Sequence, residues 1–218
     1  NLTETFEPRG LLIEEARTNI LTYSNPQSSS ARNWYVNGAS ITENYATAPD
    51  GTNTASLVSD TTANQVHYVT TTNSAHIAET NYTLSVYLKK APSNALQNVH
   101  VTTHGASTIV VDVFNGVITS QGNGARRVGL ATIEDVGNGW YRVKVTYTLH
   151  SSGSVYVMPA GSYAGNGDGY LVWGVQLEQG NFATSVIPTS GSAVTRSADT
   201  VSISGDNFGT YRTNLLSN

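Results

Sequence analysis

Trp140, Arg142 and Lys144 occupy alternate positions in the segment 140–150, and alternate side chains of a pleated strand share a face. A flat indole beside two cationic donors is what stacking on a sugar ring and bridging its hydroxyls requires. Tyr87 and Lys89 alternate in the same way within 82–89 and join that row if the two strands align, with His100 and His104 beside them. These seven residues form the candidate ligand groove. The competing reading is that Trp140, which directly follows the Asn138-Gly139 turn, closes one end of a packed core while Arg142 and Lys144 merely solvate a strand.

Other constellations point to less. Tyr156, Tyr163 and Tyr170 bracket a glycine-rich loop, Gly165-Asn166-Gly167-Asp168-Gly169, and would make a loop-tip site. His100 and His104 point the same way but lie too far apart on an extended strand to chelate one ion. Asp168, Glu178 or Asp199 would help hold a structural calcium, although no spaced acidic calcium loop is present. Glu14 and Glu15 are adjacent, and adjacent side chains diverge, whereas glycosidase carboxyls face one another across about 5–9.5 Å. With Arg17 close by, they read as a structural ion pair or the cap of a helical turn. No Gly-x-Ser-x-Gly nucleophile elbow occurs. Gly122-x-Gly124 and Gly165-x-Gly167-x-Gly169 fall between strands and open no helix, so they cradle no phosphate. The chain has no cysteine, hence neither disulfides nor thiolate metal sites. The expectation is a segment without catalysis and without a required cofactor.

The elements that must position these residues are strands. Tyr82, Leu84, Val86 and Leu88 alternate with Thr83, Ser85, Tyr87 and Lys89, which predicts one buried face and one wet face. Tyr141, Val143, Val145, Tyr147 and Leu149 face inward by the same rule. Further strands are expected over 40–44, 55–59, 65–72, 98–104, 108–114, 126–134, 154–158, 170–178 and 200–204, and one short helix over 11–21. Trp173 and Leu177 stand an even number of positions apart and are expected on one face in the core. Asn115-Gly116 signals a hairpin. Short strands joined by polar turns predict an all-β fold, a two-layer antiparallel β-sandwich of jelly-roll type. Residues 1–24 read as an incoming connection, 25–187 as the sandwich, and 188–218 as a linker leading to a missing neighbour.

At 218 residues such a sandwich can be one domain. Charged residues make up only 12%, about half the usual share, so Ser, Thr, Asn and Gly carry the solubility. A net charge of −4 offers nothing to phosphates, which argues against a nucleic-acid partner. No apolar run reaches the roughly 18 residues of a spanning helix, so membrane insertion is not expected. The one methionine is Met158, and a chain opening at Asn1 implies a piece of a longer polypeptide.

Several co-linear motifs carry a resemblance. They are Gly10-Leu11-Leu12-Ile13-Glu14-Glu15-Ala16-Arg17-Thr18-Asn19, Ala48-Pro49-Asp50-Gly51-Thr52, Val136-Gly137-Asn138-Gly139-Trp140-Tyr141-Arg142 and Trp173-Gly174-Val175-Gln176-Leu177-Glu178. Together they resemble a β-sandwich module of bacteriophage tail fibres and head spikes, often described as carbohydrate-binding-like. That resemblance implies a virion surface appendage outside the cell, with a cell-surface glycan and other virion proteins as partners, in a homo-oligomer, a trimer first. It leaves two alternatives: a connector or capsid decoration module without sugar binding, and the accessory sugar-binding domain of a polysaccharide depolymerase.

Overall fold

The computed structural model describes residues 12–72, 76–103, 106–122, 126–149, 154–159 and 162–201. Along the chain the first strands are β1 (Arg17–Asn19), β2 (Trp34–Asn37), β3 (Ala39–Ala46), β4 (Ala55–Asp60), β5 (Asn64–Val66) and β6 (Tyr68–Thr71). The long strand β7 (Asn81–Lys90) follows, then β8 (Asn98–Thr103), β9 (Ile109–Asp112), β10 (Val117–Ser120), β11 (Arg127–Asp135) and β12 (Trp140–Thr148). The last are β13 (Val155–Pro159), β14 (Ser162–Ala164), β15 (Gly169–Gln179) and β16 (Val194–Arg196). One 3-10 turn at Ser30–Arg32 is the only helical element among the described residues, none of which is long and apolar enough to cross a membrane.

Two six-stranded antiparallel sheets face each other, one ordered β10-β9-β8-β13-β6-β2 and the other β11-β12-β7-β15-β4-β3. The two-layer β-sandwich is as expected. The core between the sheets takes Val86, Leu88, Val143, Val145 and Tyr147 from the second sheet and Val99, Val101, Val111, Val155 and Val157 from the first. Each buried aliphatic side chain contributes about 1.5–3 kcal/mol relative to exposure, so this interlayer holds the fold. Tyr141, only half-buried, bridges the sheets at one end. Its ring lies over Gly116, where an added Cβ would sit 2.1 Å from Cε1. The Asn115-Gly116 turn is therefore real, but it is wider than a two-residue hairpin. Gly116 N–H bonds back to the Asp112 carbonyl at 2.9 Å, and only the glycine of the pair has positive φ.

The structure differs from several expectations. No helix forms over the described part of 11–21. Arg17–Asn19 is instead a strand paired with Val194–Arg196, so the stretch read as a linker closes a small sheet. The segment 65–72 is broken at His67 into β5 and β6. Asn19 and Leu21, placed in the connecting segment, are fully buried, as is Thr189 nearly so, and the packed body takes in residues on both sides of 25–187. Along β7 the outer face of the second sheet is not wet: the strand is buried on both faces from Tyr82 to Leu88. Of the strand expected at 200–204, Thr200 and Val201 are not extended in a sheet, and the rest lies outside the described residues.

Candidate functional site

The register does align the predicted groove. Trp140 stands opposite Lys89, and Arg142 opposite Tyr87. The groove is nevertheless filled by the protein itself. Trp140 and Tyr87 belong to a second apolar cluster with Ala48, Ala55, Leu171 and Trp173, on the outer face of the β12-β7-β15 sheet. The turn 46–54 lies over one end, and the indole Nε1–H of Trp140 donates to the Thr47 carbonyl at 3.3 Å. Arg142 is buried: its Nη2 donates to Ser85 Oγ at 3.0 Å and to the Thr184 carbonyl at 2.5 Å, and its guanidinium lies 5.1 Å from the Tyr87 ring. Burial raises the Tyr87 phenol pKa above its ordinary value, with Arg142 opposing. Lys89 reaches back over the Trp140 ring at 5.8 Å, and Lys144 pairs with Glu134 at 2.6 Å. The packing-plug reading of Trp140 is the one the geometry supports. His100 lies on β8 of the other sheet, so it does not join these residues, and His104 lies outside the described residues.

The same outer face explains the two end motifs. Glu178 is fully buried and accepts from Thr184 N–H at 3.1 Å and from Thr184 Oγ1 at 2.5 Å. Gln176 Oε1 accepts from Ile187 N–H at 2.6 Å. Glu14 accepts from Ser185 N–H at 2.7 Å and pairs with Arg196 at 2.6 Å, while Glu15 pairs with Arg17. Asn19 Nδ2 donates to the Ile187 carbonyl at 3.0 Å, and its Oδ1 accepts from Leu177 N–H at 3.2 Å. The chain after Gly180 is thereby strapped across the sheet. Arg17 occupies the space a Cβ at Gly180 would need and stacks on Phe182 at 4.7 Å. Glu178 and Glu14 clamp the strap from within the fold, while Glu15, more than half exposed, holds Arg17 at the surface.

The calcium candidates do not converge either. Asp199 accepts from Glu14 N–H at 2.9 Å, and Glu178 is committed to Thr184. The glycine-rich loop is organised by Asp60, whose carboxylate accepts from Tyr163 Oη at 2.8 Å and from Gly167 N–H at 2.7 Å. Its lone pairs meet donors, which is the reverse of a cation site. Tyr163 stacks on buried His67 with centroids 4.3 Å apart, and Tyr170 is buried with its hydroxyl on the Val157 carbonyl at 2.9 Å. Tyr156 faces elsewhere, so the three tyrosines form no loop-tip site.

Where Tyr156 faces is informative. In the first sheet, Val155, Val157, Val69 and Val101 point to the core, which leaves Tyr156, Tyr68, Thr70, Tyr35 and His100 on the outer face. Tyr35 pairs across β6 with Thr70, and Thr70 with Tyr156. With strands about 4.8 Å apart, Tyr35 and Tyr156 stand about 10 Å from each other. Tyr68 packs edge-on to Tyr156 with centroids 5.8 Å apart. Tyr35 is 42% exposed, and Tyr68, Tyr156 and His100 are partly exposed. Burial holds the His100 imidazole below its ordinary pKa, so it is neutral near pH 7 and can both donate and accept. Tyr35 and Tyr68 were not among the predicted residues. The signal was present: in Trp34-Tyr35-Val36-Asn37 and Tyr68-Val69-Thr70-Thr71 the aliphatic residues alternate with tyrosine, which places each tyrosine on the outer side.

No family model matches the chain, and no curated protein matches it. Among solved structures, the chain is similar to the CBM22-1 xylan-binding domain of a Paenibacillus barcinonensis enzyme, at 15% identity and a TM-score of 0.43, covering 74% of this chain and 92% of that one. It is also similar to the CBM22-1–GH10 modules of Clostridium thermocellum xylanase 10B complexed with xylohexaose (11% identity, TM-score 0.43, 80% of this chain, 30% of that). A third is the enzymatically active domain of bacteriophage CBA120 tailspike protein 4, at 12% identity and a TM-score of 0.41, covering 72% of this chain and 21% of that one.

Proposed function

We propose that this domain is a non-catalytic glycan-recognition module. The observation that carries the proposal is the outer face of the first sheet, where Tyr35, Tyr68 and Tyr156 are partly exposed and His100, opposite Met158 on β13, lies on the same face. Tyrosine rings supply apolar faces for pyranose stacking and hydroxyls for its rim, and each loses little rotamer freedom on binding. The predicted groove on the other sheet is replaced by this face, since Trp140, Arg142 and Tyr87 are covered. The co-linear end motifs support the finer reading, a surface appendage of a phage particle that contacts cell-surface glycan, repeated around an axis as a trimer. Repetition would multiply a weak site by roughly 10²–10⁴ in avidity where geometry permits. The test is a glycan array of host-envelope polysaccharides probed with the purified domain and with Tyr68→Ala. Binding that the variant loses supports the reading; absence of binding by a folded, multimerised domain rejects it.

One observation favours a second reading, a connector to other virion proteins. Leu130, 73% exposed, and Phe182, 55% exposed, flank a cleft of about 300 Å³ at the bulged edge strand β11. Exposed apolar side chains rimmed by polar residues are a mark of protein contact. A Leu130→Asp variant that loses assembly with neighbouring virion proteins but keeps glycan binding would separate the two readings.

A further inference from the structure

Segments 23–27, 48–54 and 188–190 enclose a concavity of about 350 Å³ whose lining includes Tyr23, Asp50, Thr52, Thr54, Trp173 and Pro188. It shares no residue with the tyrosine row. Its size falls within the range of small-ligand pockets. Its polar side is a directed chain of hydrogen bonds. The Trp173 indole can only donate, and it gives Nε1–H to Thr54 Oγ1 at 3.0 Å. Thr52 Oγ1 gives its single proton to Asp50 Oδ1 at 2.7 Å, because an ionised carboxylate can only accept. The 2.6 Å contact between Thr52 Oγ1 and Thr54 Oγ1 must then be donated by Thr54. Every hydroxyl proton of the chain is used inward. What this chain leaves free toward the cavity are acceptor lone pairs, with Asp50 Oδ2 the strongest, so at Asp50 a ligand must bring donors, while Asn25, Gln27 and Ser190 complete the polar lining.

The acceptor is preorganised. Ala48 N–H bonds to the Thr52 carbonyl at 2.8 Å, and Thr52 N–H bonds to Asp50 Oδ1 at 2.9 Å, which fixes the carboxylate in its turn. Gly51, at φ +85°, supplies the conformation that the turn needs and most residues avoid. Exposed Pro188 and part-buried Tyr23 give the cavity an apolar wall. We propose that this cavity binds one neutral pyranose, with two adjacent hydroxyls donated to Asp50 and the apolar face of the ring against Tyr23 and Pro188. The site is a second sugar subsite, independent of the tyrosine row.

The test uses the three tryptophan indole N–H resonances of the labelled domain, with Trp173 assigned by Trp173→Phe. Neutral monosaccharides are titrated beside glucuronate and glucosamine. A saturable shift of the Trp173 signal, with at most a smaller one of Trp34, whose Nε1–H donates to the Tyr23 carbonyl, and none of Trp140 supports the proposal, at a dissociation constant of about 1–10 mM as expected for a single ring. Asp50→Asn keeps the Oδ1 acceptor for Thr52 and should weaken binding about tenfold. Tyr68→Ala should leave it unchanged, which separates this site from the proposed glycan face. Three outcomes overturn the proposal: no saturable shift with any neutral sugar, a shift with glucosamine only, or full affinity in Asp50→Asn.

Discussion

Trp173 and Leu177 lie on opposite faces of β15. Trp173 packs against Tyr87 on the outer face with centroids 5.1 Å apart, whereas Leu177 pairs with Leu84 in the central core. A register shift between Trp173 and Gln176 inserts the extra residue that reverses the alternation. Gly174 has φ +60°, its N–H bonds to Asn25 Oδ1 at 2.8 Å, and Val175 N–H bonds to the Ser24 carbonyl at 2.7 Å. The N-terminal segment therefore enters the sheet at the bulge.

Gly174→Ala should destabilise the domain by about 1–3 kcal/mol, the cost of holding a side chain in that conformation. The added Cβ would also stand 3.1 Å from Tyr87 Cδ2 and 3.3 Å from Val186 Cγ2. Urea denaturation checks this, with a lowered midpoint and an unchanged slope expected.

Trp140→Ala should act on stability first. At 2% exposure and wedged among Ala48, Tyr87 and Leu171, the indole leaves a cavity when removed, at a cost of about 3–5 kcal/mol. Thermal unfolding gives the measurement. A domain that kept its melting temperature would restore Trp140 to a ligand role.

Glu178→Ala should release the strap. It leaves the Thr184 N–H buried without its acceptor and costs about 1–3 kcal/mol. Hydrogen exchange at the Thr184 and Ser185 amides should accelerate well before the central amides of β7 do.

How much of this was legible in the sequence depends on how local each cause is. The inward faces of β7 and β12 follow from alternation alone, and Leu84, Val86, Val143 and Val145 lie where it puts them. The fate of the outward faces does not. Trp140 and Arg142 are covered by the turn around Thr47 and by the strap at Thr184, segments remote in sequence whose arrival no period announces. The bulge at Gly174 is equally silent, because a glycine after tryptophan does not say which face follows. The candidate site was least legible, since Tyr35, Tyr68 and Tyr156 come from β2, β6 and β13 and meet only once those strands pair.

Acid should destabilise the fold in two steps. Burial raises the Asp112 carboxyl, but hydrogen bonds from Asn115, Gln97 and the Asn115 and Phe114 amides outweigh it and leave the pKa below its ordinary value. That stability is complete above the unfolded pKa of about 3.9 and is lost as pH falls through the lower folded value. His100 is lowered by burial, so the unfolded chain takes its proton first as pH drops below about 6.5. Melting temperature against pH should fall gently below 6.5 and steeply below 4, and His100→Gln should remove the first phase only.

The central claim is that the outer face of the β2-β6-β13-β8 strands holds glycan. The most direct measurement is titration of the folded domain with a bound polysaccharide from the array, comparing wild type, Tyr35→Ala, Tyr68→Ala and Trp140→Phe. Loss of one stacked ring is worth about 0.5–1.5 kcal/mol beyond area, roughly a twofold to tenfold loss of affinity. The account predicts that loss for Tyr35→Ala and Tyr68→Ala with melting temperature nearly unchanged, and full affinity in Trp140→Phe. Undiminished binding in both tyrosine variants, with affinity lost in Trp140→Phe, would contradict it.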